Sequence, residues 1–167
     1  ASLPFMKIYI NKTICKFLFL HDLSCWHYSA RKSFRNYWVR TPSKLTCRER
    51  TTLAIWRKLN VDFYKRKNDF ILSHYLSGKL TKSYRQVVLD IFKTFEPRFG
   101  FHYERQLPNM RKIAVYLRRS KSSPYLRKTY KLYGLKGRRM PVYLAMSHNA
   151  NKSAGGMQLG NAIILQF

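Results

Sequence analysis

Acidic residues are scarce in this chain: seven Asp and Glu stand against 33 Lys and Arg, a formal net charge of +26 over 167 residues. A surface so one-sided repels itself and calls for a polyanion, well beyond what solubility alone requires. The acids are Asp22, Glu49, Asp62, Asp69, Asp90, Glu96 and Glu104, so the whole stretch from Arg105 to Phe167 has none. Carboxylates supply most general bases and most ligands for hard metal ions, and their absence argues against carboxylate-based catalysis in the last third of the chain.

Cysteine is also rare. Cys15, Cys25 and Cys47 are odd in number and lack any Cys-x-x-Cys or Cys/His spacing, which gives neither a disulfide framework nor a zinc signature and fits a reducing or neutral compartment. Long hydrophobic runs are missing too. The stretch from Ile8 to Leu20 is broken by Asn11, Lys12 and Lys16, short of the roughly 18 to 20 apolar residues that span a bilayer. No internal repeat is visible, and neither the Gly-x-x-x-x-Gly-Lys phosphate loop nor the Gly-x-Ser-x-Gly nucleophile elbow occurs. Gly155-Gly156 reads as an ordinary turn.

What the chain does have is an apolar fraction of 46% and an aromatic fraction of 16%, enough to bury a core and too much for a disordered basic tail. Tyr, Phe and His interleave with the cations, a composition able to stack on bases as well as neutralise phosphates, which favours RNA over a membrane surface. The first 21 residues carry Lys7, Lys12 and Lys16 among apolar residues and no acid, which is transit-peptide-like, although an ordinary basic extension reads the same way.

Along the chain, Leu23, Trp26, Tyr28 and Ala30 suggest a short amphipathic helix from His21 to Lys32, and Tyr37, Trp38 and Val39 suggest a strand. Pro42-Ser43 should end that strand, with Ser43 capping a helix from about Lys44 to Asn60 whose inner face is Leu45, Leu53, Trp56 and Leu59. Val61 to Tyr64 reads as a further strand. After Ser77-Gly78, the spacing of Leu80, Tyr84, Val87, Val88, Ile91, Phe92 and Phe95 predicts the clearest helix, with Pro97 and Gly100 as its end. Phe99 to Tyr103 and Ile113, Val115 and Leu117 alternate like strands, as do Val142 to Leu144 and Ala162 to Phe167.

Two constellations carry chemistry. Arg118-Arg119-Ser120-Lys121-Ser122-Ser123-Pro124 puts three cations and three hydroxyls into seven residues, suited to phosphate contacts; a solvated basic loop would look alike. Met146 to Ser153 holds Ser147, His148, Asn149 and Lys152, which can read base edges or ribose hydroxyls. Ser147-His148 also hints at a hydrolase, but no carboxylate follows to orient the imidazole.

These segments, taken in order, resemble the ribosomal small-subunit protein eight family. Ser29-Ala30 and Ser43-Lys44-Leu45 match the family's helix end and helix start, and Arg118-Arg119-Ser120-Lys121 resembles its Arg-Val-Ser-Lys-Pro loop. Tyr130 aligns with a family tyrosine, Met146 to Ala150 with its Ser-Thr-Ser-x-Gly signature loop, and Leu159-Gly160-Asn161 with its terminal Val-Gly-Gly-Glu strand. The chain departs from the pattern at Met146, Ser147, Ala150 and Asn161. The resemblance implies an α+β fold: an N-terminal α/β unit of helix, strand, helix and strands, plus a C-terminal β-rich unit, with an extra helix inserted between them.

On that basis residues 1–20 are an N-terminal extension, 21–68 the α/β unit, 69–97 the insert, 98–117 the remaining strands and 118–167 the RNA-binding unit. The implied function is a structural constituent of the small ribosomal subunit, without catalysis or cofactor. Its partners would be the central domain of small-subunit ribosomal RNA and neighbouring ribosomal proteins, with no small-molecule substrate and no stable membrane insertion. The implied RNA contacts are Ser43, Lys44, Arg118, Arg119, Ser120, Lys121, Tyr130, Ser147, His148, Asn149, Lys152 and Asn161. Divergence and extreme basicity point to an organellar, mitochondrial version, with a plastid or cytoplasmic ribosome as alternatives. Two other classes stay open: an RNA-processing enzyme, and a basic accessory subunit of an organellar membrane complex.

Overall fold

The computed structural model describes residues 6–26, 32–119, 128, 131–132, 140–146, 155–159 and 162–166. Its elements run in the order β1 (Met6–Ile10), α1 (Lys12–Ser24), α2 (Lys32–Trp38), α3 (Cys47–Lys67), α4 (Ile71–Leu76), α5 (Lys82–Arg119), β2 (Met140–Ala145), β3 (Gly155–Leu159) and β4 (Ala162–Gln166). Mixed helix and sheet is what the sequence led us to expect. The division into successive units is not.

The sheet has the order β1-β2-β4-β3, with β1/β2 and β2/β4 parallel and β3/β4 antiparallel. Ile8 pairs with Val142 and Leu144 with Leu165. The first strand of the chain therefore completes the sheet built by the last three, and residues 118–167 are not a separate β-rich unit. Residues 1–20 are likewise more than an extension, since β1 and most of α1 lie within them.

α1 starts where the Asn11 side chain accepts the Ile14 N–H at 3.1 Å, and ends where Cys25 turns left-handed at φ 52. From Ile14 to Ser24 every residue but Lys16 is buried, as befits a helix apolar around most of its circumference. Phe17 lies 5.6 Å from Trp56 and 5.2 Å from Phe92, and Phe19 lies 4.9 Å from Trp38, ring centre to ring centre. α1 is thus the hub of the main core, packed by α3, α5 and one face of the sheet through Ala145 and Ile164.

α3 begins one turn later than Ser43 would place it. Thr46 is the cap: its hydroxyl accepts the Glu49 N–H at 3.1 Å, and the Glu49 carboxylate accepts the Thr46 N–H at 3.0 Å, a reciprocal capping box. Leu53 and Trp56 are buried as expected, Leu45 and Leu59 partly so. The helix continues through Val61 to Tyr64, read above as a strand, because Phe63 extends the same inner stripe. Tyr37 and Trp38 close α2 rather than forming a strand, with Trp38 fully buried against α1.

The largest departure is α5. Its first half follows the predicted periodicity, but it runs on through Pro97, Gly100 and Pro108 to Arg119. At 1.5 Å per residue that is about 57 Å of helix. Both prolines are exposed, so their missing N–H groups face solvent, while Phe95, Phe99, Tyr103, Met110 and Ala114 continue the inner stripe. The strands expected at Phe99–Tyr103 and over Ile113–Leu117 are therefore helical. Nor is 69–97 an insert: Ile71, Leu72, Val88, Ile91, Phe92 and Phe95 belong to the main core. The distal half of α5 covers the other face of the sheet, where Ala114, Ile113 and Leu117 meet Ile8, Val142 and Leu144 in a second apolar cluster.

Candidate nucleic-acid interface

Two regions of the fold hold the expected contact residues that lie among the described ones. The first is the distal half of α5. At 100° per residue, the exposed residues Glu104, Arg105, Pro108, Arg111, Lys112, Val115, Tyr116, Arg118 and Arg119 fall within an arc of about 160°. Five of them are cationic and Glu104 is the single acid. Tyr116 stands among them 72% exposed and Val115 43%. A basic helical face carrying an exposed ring offers phosphate neutralisation and base stacking together. Arg105 also lies over the Phe101 ring at 4.9 Å from the centroid, which holds its stem against the helix.

Arg118 is only partly a surface group. Its Nη2 donates to the Ile8 carbonyl at 2.7 Å, tying the end of α5 to edge strand β1. The residue as a whole is nonetheless exposed, as is Arg119 beside it. Both residues thus close a helix rather than sitting in the loop expected from the sequence.

The second region is the turn from Arg40 to Thr46. Ser43 and Lys44 are exposed, and their carbonyls accept from Arg98 at 2.8 and 3.2 Å. Arg98 is the buried residue that shapes this turn. Its Nη1 also donates to the carbonyls of Trp38 and Thr41, both at 2.9 Å, and its Nε and Nη2 pair with Glu49. His102, one turn further along α5, sets its Nε2 2.8 Å from the Thr41 carbonyl. Burial pushes the Glu49 carboxyl up, but the hydrogen bonds from Arg98 and Thr46 and the Arg98 charge outweigh it and hold the carboxyl below its ordinary value.

The fold does not bring all the expected contacts together. Arg98 and Arg118 are twenty residues apart on one helix, so the Ser43-Lys44 turn and the Arg118-Arg119 end are separated by about 30 Å along its axis. Ser120, Lys121, Tyr130, Ser147, His148, Asn149, Lys152 and Asn161 lie outside the described residues. Met146, the start of the supposed signature loop, is buried in the main core.

The buried reactive groups are committed to structure. Burial pushes the Cys15 thiol up to about 12, and its Sγ donates to the Leu144 carbonyl at 3.5 Å. His21 accepts the Trp56 indole N–H at Nδ1, 3.3 Å away. Burial also raises the Tyr143 phenol, and Tyr9, whose ring stacks on it at 5.6 Å, raises it further. Among the described residues no group of three His, Cys, Asp or Glu side chains is placed to hold a metal ion. No helix among them is long and apolar enough to cross a membrane.

No protein-family model, curated protein or solved structure matches the chain.

Proposed function

We propose that this protein is a structural RNA-binding component of the small ribosomal subunit of an organelle, most simply the mitochondrion, and that it acts without catalysis. The observation that carries the RNA reading is the distal face of α5, where Arg105, Arg111, Lys112, Arg118 and Arg119 share one exposed face and Tyr116 stands exposed at its edge. Five cations against one acid on a single rigid face will release counterions from a phosphate backbone, and the ring gives unpaired bases a stacking surface. The buried aromatic core supports a protein that folds around its own centre and offers charge outward, rather than a tail ordered only by its partner.

Membership of the small subunit rests on the net charge of +26, which suits a protein enclosed by RNA, and on the order of the motifs in the second half of the chain. Strand β2, a polar segment and the terminal strands follow one another as the ribosomal small-subunit protein eight resemblance implies. The helices between Lys32 and Arg119 do not follow its pattern, so the resemblance is offered for the C-terminal contacts alone. Partners on this reading are small-subunit ribosomal RNA and adjacent ribosomal proteins.

The test is sedimentation of the tagged full chain from its own cells. Migration with the small subunit in detergent, shifted to the top of the gradient by nuclease, is the expected result. Migration with a membrane complex, unaffected by nuclease, would replace this function with that of an accessory subunit.

A further inference from the structure

An open cleft of about 440 Å³ lies beside the Arg98 clamp, between the turn at Pro42-Ser43, the start of α3 and the middle of α5. Four charged side chains line it: Arg48, Lys93 and Arg98 as cations and Glu49 as the one anion. Glu49 and Arg98 pair with each other and Arg98 is further taken up by four backbone carbonyls, so their charges cancel within the wall. Arg48 and Lys93 are left as the net charge of the cleft. They come from different helices, α3 and α5, and the buried pair between those helices fixes their relation.

Among the described residues Lys93 pairs with Asp90 at 3.8 Å, between side chains 77% and 58% exposed. An exposed pair of that kind is worth little and gives way readily to a stronger anion. The uncharged lining is equally specific. Ser43, Thr46 and Thr94 bring hydroxyls, and Thr46, which uses its oxygen to accept the Glu49 N–H, still has its own O–H to donate. Pro42 and Pro97 supply flat apolar walls. Two cations and three hydroxyls suit an anion with several acceptor oxygens, and the volume exceeds what a lone phosphate group fills.

We propose that this cleft is a phosphodiester subsite that seats one nucleotide step of bound RNA. Arg48 and Lys93 meet the phosphate, the hydroxyls its oxygens and the ribose, and the prolines the sugar face. Arg98 touches no ligand and is a positioning residue. The inference deepens the RNA-binding reading, and rests on it. It also adds a contact near the middle of α5, about 35 Å along the axis from Tyr116, so that one RNA strand or two neighbouring RNA segments would lie along the helix.

The experiment uses the full chain and two probes, uridine monophosphate and an oligouridylate. In the wild-type protein, uridine monophosphate should shift the amide resonances of Ser43, Thr46, Arg48 and Thr94. In the Arg48→Gln/Lys93→Gln double variant, whose altered residues are on the surface and leave the clamp intact, those shifts should vanish. Oligouridylate affinity should then fall about tenfold, with a salt slope reduced by about two. An Arg111→Gln/Lys112→Gln variant serves as the distant control, expected to lose oligouridylate affinity while keeping the mononucleotide shifts.

Absence of shifts in the wild-type protein overturns the subsite, as does a double variant with wild-type affinity for oligouridylate; in both cases RNA binding by the distal control face stands. Mononucleotide shifts without any oligouridylate binding would overturn it in favour of a small phosphorylated ligand. Failure of the wild-type chain to bind oligouridylate at low salt would remove the RNA reading itself.

Discussion

Arg98 on α5 holds both carboxylate oxygens of Glu49 on α3, Nε to Oε2 at 2.6 Å and Nη2 to Oε1 at 3.1 Å, with only 4% and 10% of the two side chains exposed. The pair joins the two longest helices and sets the turn between Trp38 and Thr46. Removing one member leaves the other charge buried without a partner, which costs about 3–5 kcal/mol. Arg98→Met should therefore lower unfolding free energy by that amount in denaturant titrations. Arg98→Met/Glu49→Met should recover part of it, less than all, because the carbonyls of Trp38, Thr41, Ser43 and Lys44 lose their donor as well. A double variant no more stable than Arg98→Met would show that the ion pair is not the main contribution.

The same pair sets a pH dependence. Glu49 titrates below its ordinary value of 4.5 in the folded protein, so the stability it contributes is fully present above that pH and disappears as pH falls through the lower, folded value. Thermal midpoints of the wild type and of Glu49→Gln should differ most near neutrality and converge as the pH is taken well below 4.5. A constant difference across that range would mean that Glu49 titrates normally.

A third expectation concerns α1. Phe17 is fully buried and its ring meets Trp56, Tyr75 and Phe92. Phe17→Ala should cost about 3–5 kcal/mol, the range for truncating a large core ring. A dispensable N-terminal extension would instead tolerate the change, so equilibrium unfolding of this one variant decides between the two descriptions of residues 6–24.

Much of this architecture is legible in the sequence where the signal is local. The stripe from Val88 to Phe95, the Leu53/Trp56 face, strand β2 and strand β4 all appear where periodicity puts them. Misreadings arise where tertiary packing overrides a local rule. Ile113, Val115 and Leu117 alternate as a strand would, yet Ile113 and Leu117 are also four apart and share the inner face of α5, leaving Val115 out. Pro97 and Pro108 each remove a helix hydrogen bond and crowd the carbonyl four residues back, but both lie on the exposed face, where water reaches the freed carbonyl while Phe95, Phe99 and Tyr103 keep the helix packed. β1 carries a brief alternation, Met6, Ile8 and Ile10 against Lys7 and Tyr9, but its place at the sheet edge depends on β2, near the other end of the chain. The role of Arg98 is illegible for a related reason: most of its partners are carbonyls, which no side-chain pattern encodes.

The distal face of α5 gives the most direct test of the proposed RNA binding. Arg105, Lys112 and Arg119 recur at seven-residue intervals on that face, beside Tyr116, and none has an acid within its own stretch of helix except Glu104. Replacing all three with Gln removes charge without touching the inner stripe of Met110, Ala114 and Leu117, so the thermal midpoint should stay nearly unchanged. Binding to many RNA sequences should weaken alike, and the slope of log K against log salt should flatten by about two to three units, because each phosphate contact contributes about 0.7 to 0.9. Tyr116→Ala acts differently. A lost stacking contact is worth about 1–3 kcal/mol and is not ionic, so affinity for single strands should fall while the salt slope holds. Fluorescence anisotropy titrations of both variants over a salt series separate the two contributions. If Tyr116→Ala leaves single-strand affinity unchanged while the triple variant loses it, the face is purely an electrostatic grip on phosphates, and bases are read elsewhere on the protein.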